Sequence, residues 1–155
     1  MRYQRTLDVD APLEVLWAFH ERPDVLDLLC PPWERMQVIT PPRSLEVGTR
    51  VVVKVWLGPL PMVVESEHYA YQRGAHFADR MVRGPFRRFE HQHRFEARGD
   101  GARLVDDIEF ELPLGALGRW VAAAPILRRL ERMFAYRHEV TRAACAEAIR
   151  SATRR

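Results

Sequence analysis

Apolar and polar residues alternate with a period of two along most of the chain, and a helical period replaces it in the last quarter. Tyr3 to Val9 alternates as a strand. Asp10-Ala-Pro12 then opens a helix, with Asp10 as its cap and Pro12 in the first turn, and Val15, Leu16, Trp17 and Phe19 form its apolar face. A second short helix starts at Pro23-Asp24, runs through Leu26, Leu28 and Leu29, and ends at Pro31-Pro32. Strands are expected next at Trp33 to Thr40, Arg50 to Leu57, Met62 to Tyr71 and Ala75 to Val82, separated by turns rich in proline and glycine. Gly99-Asp100-Gly101 reads as a tight hairpin turn between the strand ending at Arg98 and the last one, Ala102 to Leu112.

The penultimate strand, Phe86 to Arg98, is the most informative. It puts Phe89, His91, His93 and Phe95 on one face, with Glu90, Gln92, Arg94 and Glu96 on the other. Two histidines set between phenylalanines suggest an inner face that lines a cavity with a few polar groups in it.

From about Arg119 to Ser151 the pattern is helical. Leu127, Leu130, Met133, Phe134, Val140, Ala144, Cys145 and Ala148 make the apolar stripe, and Pro125 is expected to kink or restart the helix. The order is strand, two short helices, about six antiparallel strands joined by hairpins, and one long helix. This predicts an α+β domain spanning 1–155, in which a curved antiparallel sheet of about seven strands buries its concave face against the C-terminal helix.

Composition narrows the function classes. An apolar fraction of 47% with 29% charged residues is globular. No apolar run is long enough to cross a bilayer, and the first residues already read as a strand rather than a signal peptide. The two cysteines, Cys30 and Cys145, have no CxxC spacing and are expected as reduced, small core residues in a cytoplasmic protein. Net charge is +3, carried almost wholly by arginine, Lys54 being the one lysine. Acidic residues are interleaved throughout, so no basic stripe marks a nucleic-acid surface.

Val9-Asp10-Ala-Pro12, together with this order of elements, resembles the START-like superfamily, also called SRPBCC, whose helix-grip fold is shared by birch-pollen allergens, lipid-transfer domains and polyketide cyclases. Phe19-His-Glu-Arg-Pro-Asp24, Leu29-Cys-Pro-Pro-Trp33, Gly84-Pro-Phe86 leading into His91-Gln-His93-Arg-Phe95, Asp106 to Gly115 and Met133-Phe-Ala-Tyr-Arg137 are similar to one bacterial branch of it. The resemblance covers essentially the full chain and implies the helix-grip fold. It implies no catalytic residue, because the superfamily shares no catalytic motif. Some relatives carry a fused sugar-epimerase-like dehydrogenase domain; no GxGxxG phosphate loop occurs in this chain.

The function this points to is binding of a hydrophobic or amphipathic small molecule (lipid, polyketide-like or quinone-like) between the sheet and the long helix. Phe77, Phe89, Phe110, Leu130 and Phe134 are expected to supply contact area, and Asp79, His91 and His93 to orient a polar group. Trp17, Trp33 and Phe95 are also expected between sheet and helix. The two histidines are expected to hydrogen-bond to acids or tyrosines. They would hold a metal only if the strand registers bring His68, Asp79 and Asp106 close, and neither metal nor cofactor is assigned. Asp106 shares a face with Leu104, Ile108, Phe110 and Leu112, so it needs a partner, for which Arg137 is a candidate. Two alternatives remain. One is a cyclase or dehydratase using His91, His93, Asp79 or Asp106 as acid–base groups. The other is a module that docks a protein partner through the apolar tips 57–62 and 112–117.

Overall fold

A computed structural model describes residues 1–113 and 115–154, without the side chains of Leu57 and of 115–121. Strand β1 (Arg2–Val9) is followed by two short helices, α1 (Leu13–His20) and α2 (Val25–Leu28). Six strands follow: β2 (Met36–Thr40), β3 (Arg50–Leu57), β4 (Leu60–Gln72), β5 (His76–Arg83), β6 (Arg88–Arg98) and β7 (Gly101–Glu111). Helix α3 (Gly115–Thr153) closes the chain. The strands form one antiparallel sheet in the order β1-β7-β6-β5-β4-β3-β2, so only β1 leaves sequence order, by pairing with β7. This is the helix-grip arrangement.

Local chemistry accounts for most of these elements. The β-branched run Val51-Val-Val53 favours a strand at β3, whose residues are partly buried. The β6–β7 hairpin turns on Gly99 and Asp100, with Arg98 paired to Gly101 and Gly99 at φ 58°, a left-handed conformation that glycine adopts without steric cost. Helix α3 runs continuously through Pro125. It starts earlier than the sequence pattern indicates, because Gly115 and Gly118 carry the composition of a turn. At α1 the N-cap is Pro12, not Asp10, and no side chain caps the helix. Strand β2 begins at Met36, three residues later than expected. The residues just before it form a turn that leaves Trp33 49% exposed, its ring edge-on to Tyr136 and Arg132 over its face. Trp33 is therefore a surface residue, not a core one.

The core divides at the helix. One cluster joins Leu7, Val9, Leu16, Trp17, Phe77, Phe95, Leu104 and Cys145. A second joins Tyr3, Ile108, Phe110, Leu112, Leu130 and Phe134. Among the described side chains of α3 the most deeply buried are Leu130, Phe134, His138, Thr141 and Cys145, spaced at four, four, three and four residues, which is one helical face. That face presses on β1, β7 and β6: Phe134 meets Tyr3 and His91 ring to ring, and His138 meets Asp106.

Candidate functional site

The inner face of the sheet carries its polar residues in register. Asp79 on β5 lies opposite His68 on β4 and opposite His91 on β6. One pair along, His93 lies between Phe77 on β5 and Asp106 on β7. Facing positions on adjacent antiparallel strands put their side chains on the same side, so four strands deliver His68, Asp79, His91, His93 and Asp106 to one patch.

Asp106 lies at the back of that patch and is almost wholly buried. His138 Nε2–H donates to its Oδ2 at 2.7 Å, and His91 Nε2–H donates to its Oδ1 at 3.1 Å. His93 Nδ1 stands 2.8 Å from the same Oδ1 but off the angle of a hydrogen bond, so that contact is electrostatic. Burial alone would raise the Asp106 carboxyl. The three imidazoles outweigh it and hold the group well below the usual carboxylate range. Arg137, the expected partner, instead donates its Nε–H to the Leu29 carbonyl at 3.2 Å and stacks over Phe134.

In front of Asp106 the chemistry reverses. Asp79 makes no ion pair closer than 3.9 Å, and burial raises its carboxyl, with His93 and His68 opposing. Burial lowers His93 to about 4, and the neighbouring His91 adds to the effect. His20, at the end of α1, is likewise lowered to about 4 by burial among Phe19, Phe77 and Phe95. His68 is lowered for the same reason, and its Nδ1 has no hydrogen-bond partner. The patch thus offers neutral imidazoles and a carboxyl that resists ionisation, set in an apolar surround.

These groups open into a cavity of 810 Å³ between the sheet and α3. The buried stripe of α3 packs on β1, β7 and β6, and the cavity extends from β6 across β5, β4 and β3. Its walls are apolar: Val51, Val53 and Val55 of β3, Val64 of β4, Leu29 after α2, and Met133 of α3 are among them. Arg129 of α3 and Glu34 of the loop before β2 line it too and form an ion pair.

Of the residues singled out from sequence, Phe77, Asp79, Phe89, His91, His93, Leu130 and Phe134 all line this cavity. Phe110 does not. It shares their face of the sheet but lies behind Phe86, fully buried in the core cluster of Tyr3 and Leu130. Trp17 is also core, packed edge-on against Phe95 and Phe77. The two apolar tips fare differently. Leu60 is 66% exposed, whereas Leu112 is buried and lines the cavity. Leu114 and the side chains of Leu57 and 115–117 lie outside the described residues.

Two functional residues escape a reading of the sequence, His20 and His138. His138 falls four residues after Phe134 on the buried stripe, a position that only an apolar or fully paired side chain can hold; that spacing is the signal. His20 follows Phe19 at the last turn of α1 with no spacing cue.

Comparison with known proteins agrees with this architecture. A family model described as "Polyketide cyclase / dehydrase and lipid transport" matches residues 9–134. Among solved structures, a protein from Thermus thermophilus is 19% identical, with a TM-score of 0.69 over 93% of this chain and 99% of that one. A norcoclaurine synthase point mutant from Thalictrum flavum, solved with a transition-state analogue, is 14% identical, with a TM-score of 0.71 over 96% and 95%. A nucleoside-diphosphate sugar epimerase from Corynebacterium glutamicum is 21% identical, with a TM-score of 0.73 over 97% of this chain but 30% of its own. No curated protein matches the chain by sequence. Among the described residues no helix is long and apolar enough to cross a membrane.

Proposed function

The chain belongs to the polyketide cyclase/dehydrase and lipid-transport family, and we propose that it binds a hydrophobic or amphipathic small molecule between the sheet and α3. The observation that carries this is the 810 Å³ cavity, apolar on most walls and polar at one patch. Such a volume falls in the range of small-molecule sites, about 300–1,000 Å³. A ligand burying about 300 Å² of apolar surface there gains about 7.5 kcal/mol at ~25 cal/mol per Å², before the costs of association. Its apolar body lies against the valines of β3 and its polar group faces His68, Asp79, His91 and His93.

Filling the cavity is the test. Val53 lines it from mid-strand, and Val53→Trp is expected to abolish the fluorescence gain of 8-anilinonaphthalene-1-sulfonate while the far-UV dichroism keeps its native shape. Native mass spectrometry of the freshly purified protein would then identify any ligand carried through purification. An unchanged dye titration in Val53→Trp refutes the cavity as the binding site.

A second reading is favoured by one observation, the raised Asp79 carboxyl beside His93, whose imidazole stays neutral above about pH 4. A carboxyl that burial biases toward its protonated form and a neutral imidazole can serve as general acid and general base in one pocket. They suit a cyclisation or dehydration of a bound carbonyl compound. Turnover of aromatic polyketide or hydroxy-acid substrates is then expected to follow a bell-shaped pH profile and to vanish in Asp79→Asn. Substrate binding without turnover at any pH would leave binding alone.

A further inference from the structure

The patch brings Asp79, His91 and His93 together, and the position of Asp106 decides which of their ring nitrogens face Asp79. Asp106 Oδ1 lies against one ring nitrogen of each histidine, His91 Nε2 at 3.1 Å and His93 Nδ1 at 2.8 Å. An unprotonated nitrogen at 2.8 Å from a carboxylate would be repelled, so the proton sits on that side in each ring. The opposite nitrogens, His91 Nδ1 and His93 Nε2, are left with free lone pairs. Both face Asp79 Oδ2, at 4.0 Å and 3.9 Å, too far for a hydrogen bond. One donor atom from each of Asp79, His91 and His93 lies within 4.8 Å of the others.

We propose that Asp79, His91 and His93 form a binding site for a divalent transition ion of borderline hardness, such as zinc or cobalt(II), with its open coordination positions facing the cavity. With Asp79 ionised, all three groups offer a lone pair toward the same part of the cavity. A cation satisfies all three. At metal–ligand distances of about 2.1 Å a tetrahedral ion holds its ligand atoms about 3.4 Å apart, so the 3.9 Å and 4.0 Å contacts to Asp79 must each close by about half an ångström when the ion binds. Two imidazoles with a carboxylate suit zinc and its neighbours better than magnesium or calcium. Asp106 supplies what such sites use to fix the tautomer and aim of their histidines, a carboxylate behind the rings, and His138 holds Asp106 in turn. His68, across from Asp79 on β4, is buried with Nδ1 unpartnered and lines the same cavity.

This deepens the ligand-binding reading and rests on it. An ion open to the cavity selects ligands with an oxygen donor, an enolate, carboxylate or phenolate on an otherwise apolar body. It also displaces any proton from Asp79, so the metal-loaded and acid–base uses of the patch exclude each other.

The test is equilibrium dialysis of the metal-free full chain against cobalt(II) alone, read by metal analysis and by visible absorption. One cobalt per chain with visible bands is expected, and at least tenfold weaker uptake in Asp79→Asn. Asp106→Asn is expected to weaken it about 10- to 100-fold without removing a ligand. Uptake well below one per chain, or uptake that survives both Asp79→Asn and His93→Gln, overturns the site. Dye binding is measured on the same preparation. Dye binding without cobalt uptake defeats the metal site and spares the cavity, whereas loss of dye binding defeats the cavity itself.

Discussion

His20 gives a pH prediction whose size follows from its surroundings. Its ring is edge-on to Phe95 at 5.0 Å and to Phe19 at 5.3 Å, and Nδ1–H donates to the Leu16 carbonyl at 2.9 Å. Burial among these groups lowers it to about 4, whereas an unfolded histidine titrates near 6.5. A depressed histidine means that the unfolded chain binds a proton the native chain refuses. Stability is therefore intact above the unfolded value and lost as pH falls from about 6.5 toward 4. At pH 5 the loss is about 2 kcal/mol, and below pH 4 it approaches about 3 kcal/mol. His93 and His68 move in the same direction, while the raised Asp79 carboxyl opposes them by favouring the protonated native state at low pH. The whole-protein curve sums these with Asp106 and the other lowered carboxylates, so the informative quantity is the difference between the wild type and His20→Leu. Urea midpoints measured from pH 7.5 to 5 should fall more steeply for the wild type, by about 2 kcal/mol across the range. The offset between the proteins at pH 7.5 plays no part. Parallel pH slopes would refute the reasoning, since they would mean that water in the cavity hydrates the ring.

The remaining expectations concern packing and the buried carboxylate. Asp106→Leu strands the donors of His91 and His138 and is expected to cost about 3–5 kcal/mol, seen as a thermal midpoint lower by roughly 10 °C; a loss under about 1 kcal/mol would show that the histidines re-pair without it. Phe134→Ala, at a side chain touching Tyr3, His91 and His138, is expected to cost about 3–5 kcal/mol, measured by urea unfolding. Trp33→Ala removes a half-exposed ring and is expected to stay within about 1 kcal/mol of the wild type in the same assay.

Much of the fold was legible because a sheet with one buried face writes a period of two into its sequence. The alternation in Phe89, His91, His93 and Phe95 located the inner wall, and all four side chains are buried or partly so. Periodicity says which face a residue takes, but not which residues on other strands stand beside it. The register that sets Asp79 against His91, and Asp106 against His93, is a tertiary fact, fixed by seven strands closing together. The same limit explains Phe110. It has the facing of a cavity residue, but Phe86 covers it, and only the path of the loop before β6 decides that. His138 was hidden for a different reason. A histidine on an apolar stripe reads as an interruption, whereas here it is the stripe's anchor to the sheet.

The two halves of α3's contact with the sheet explain why a cavity can persist in a chain of this size. On the β1–β7–β6 side, Leu130, Phe134, Thr141 and Cys145 fill the interface, and the His138–Asp106 contact fixes the helix to the sheet at one point. That contact is costly to misplace, because a buried carboxylate without its donors is strongly destabilising. It therefore specifies one seating of the helix rather than a range of them. The β3–β4–β5 side is then free of the task of holding the helix. Its valines face the cavity, which the described side chains of α3 leave open, and the energy that closure would gain there is available to a ligand instead. Asp106 belongs to both halves. Through His138 it seats the helix, and through His91 and His93 it aims the free nitrogens at Asp79, so the group that fixes the fold also sets the chemistry facing the cavity.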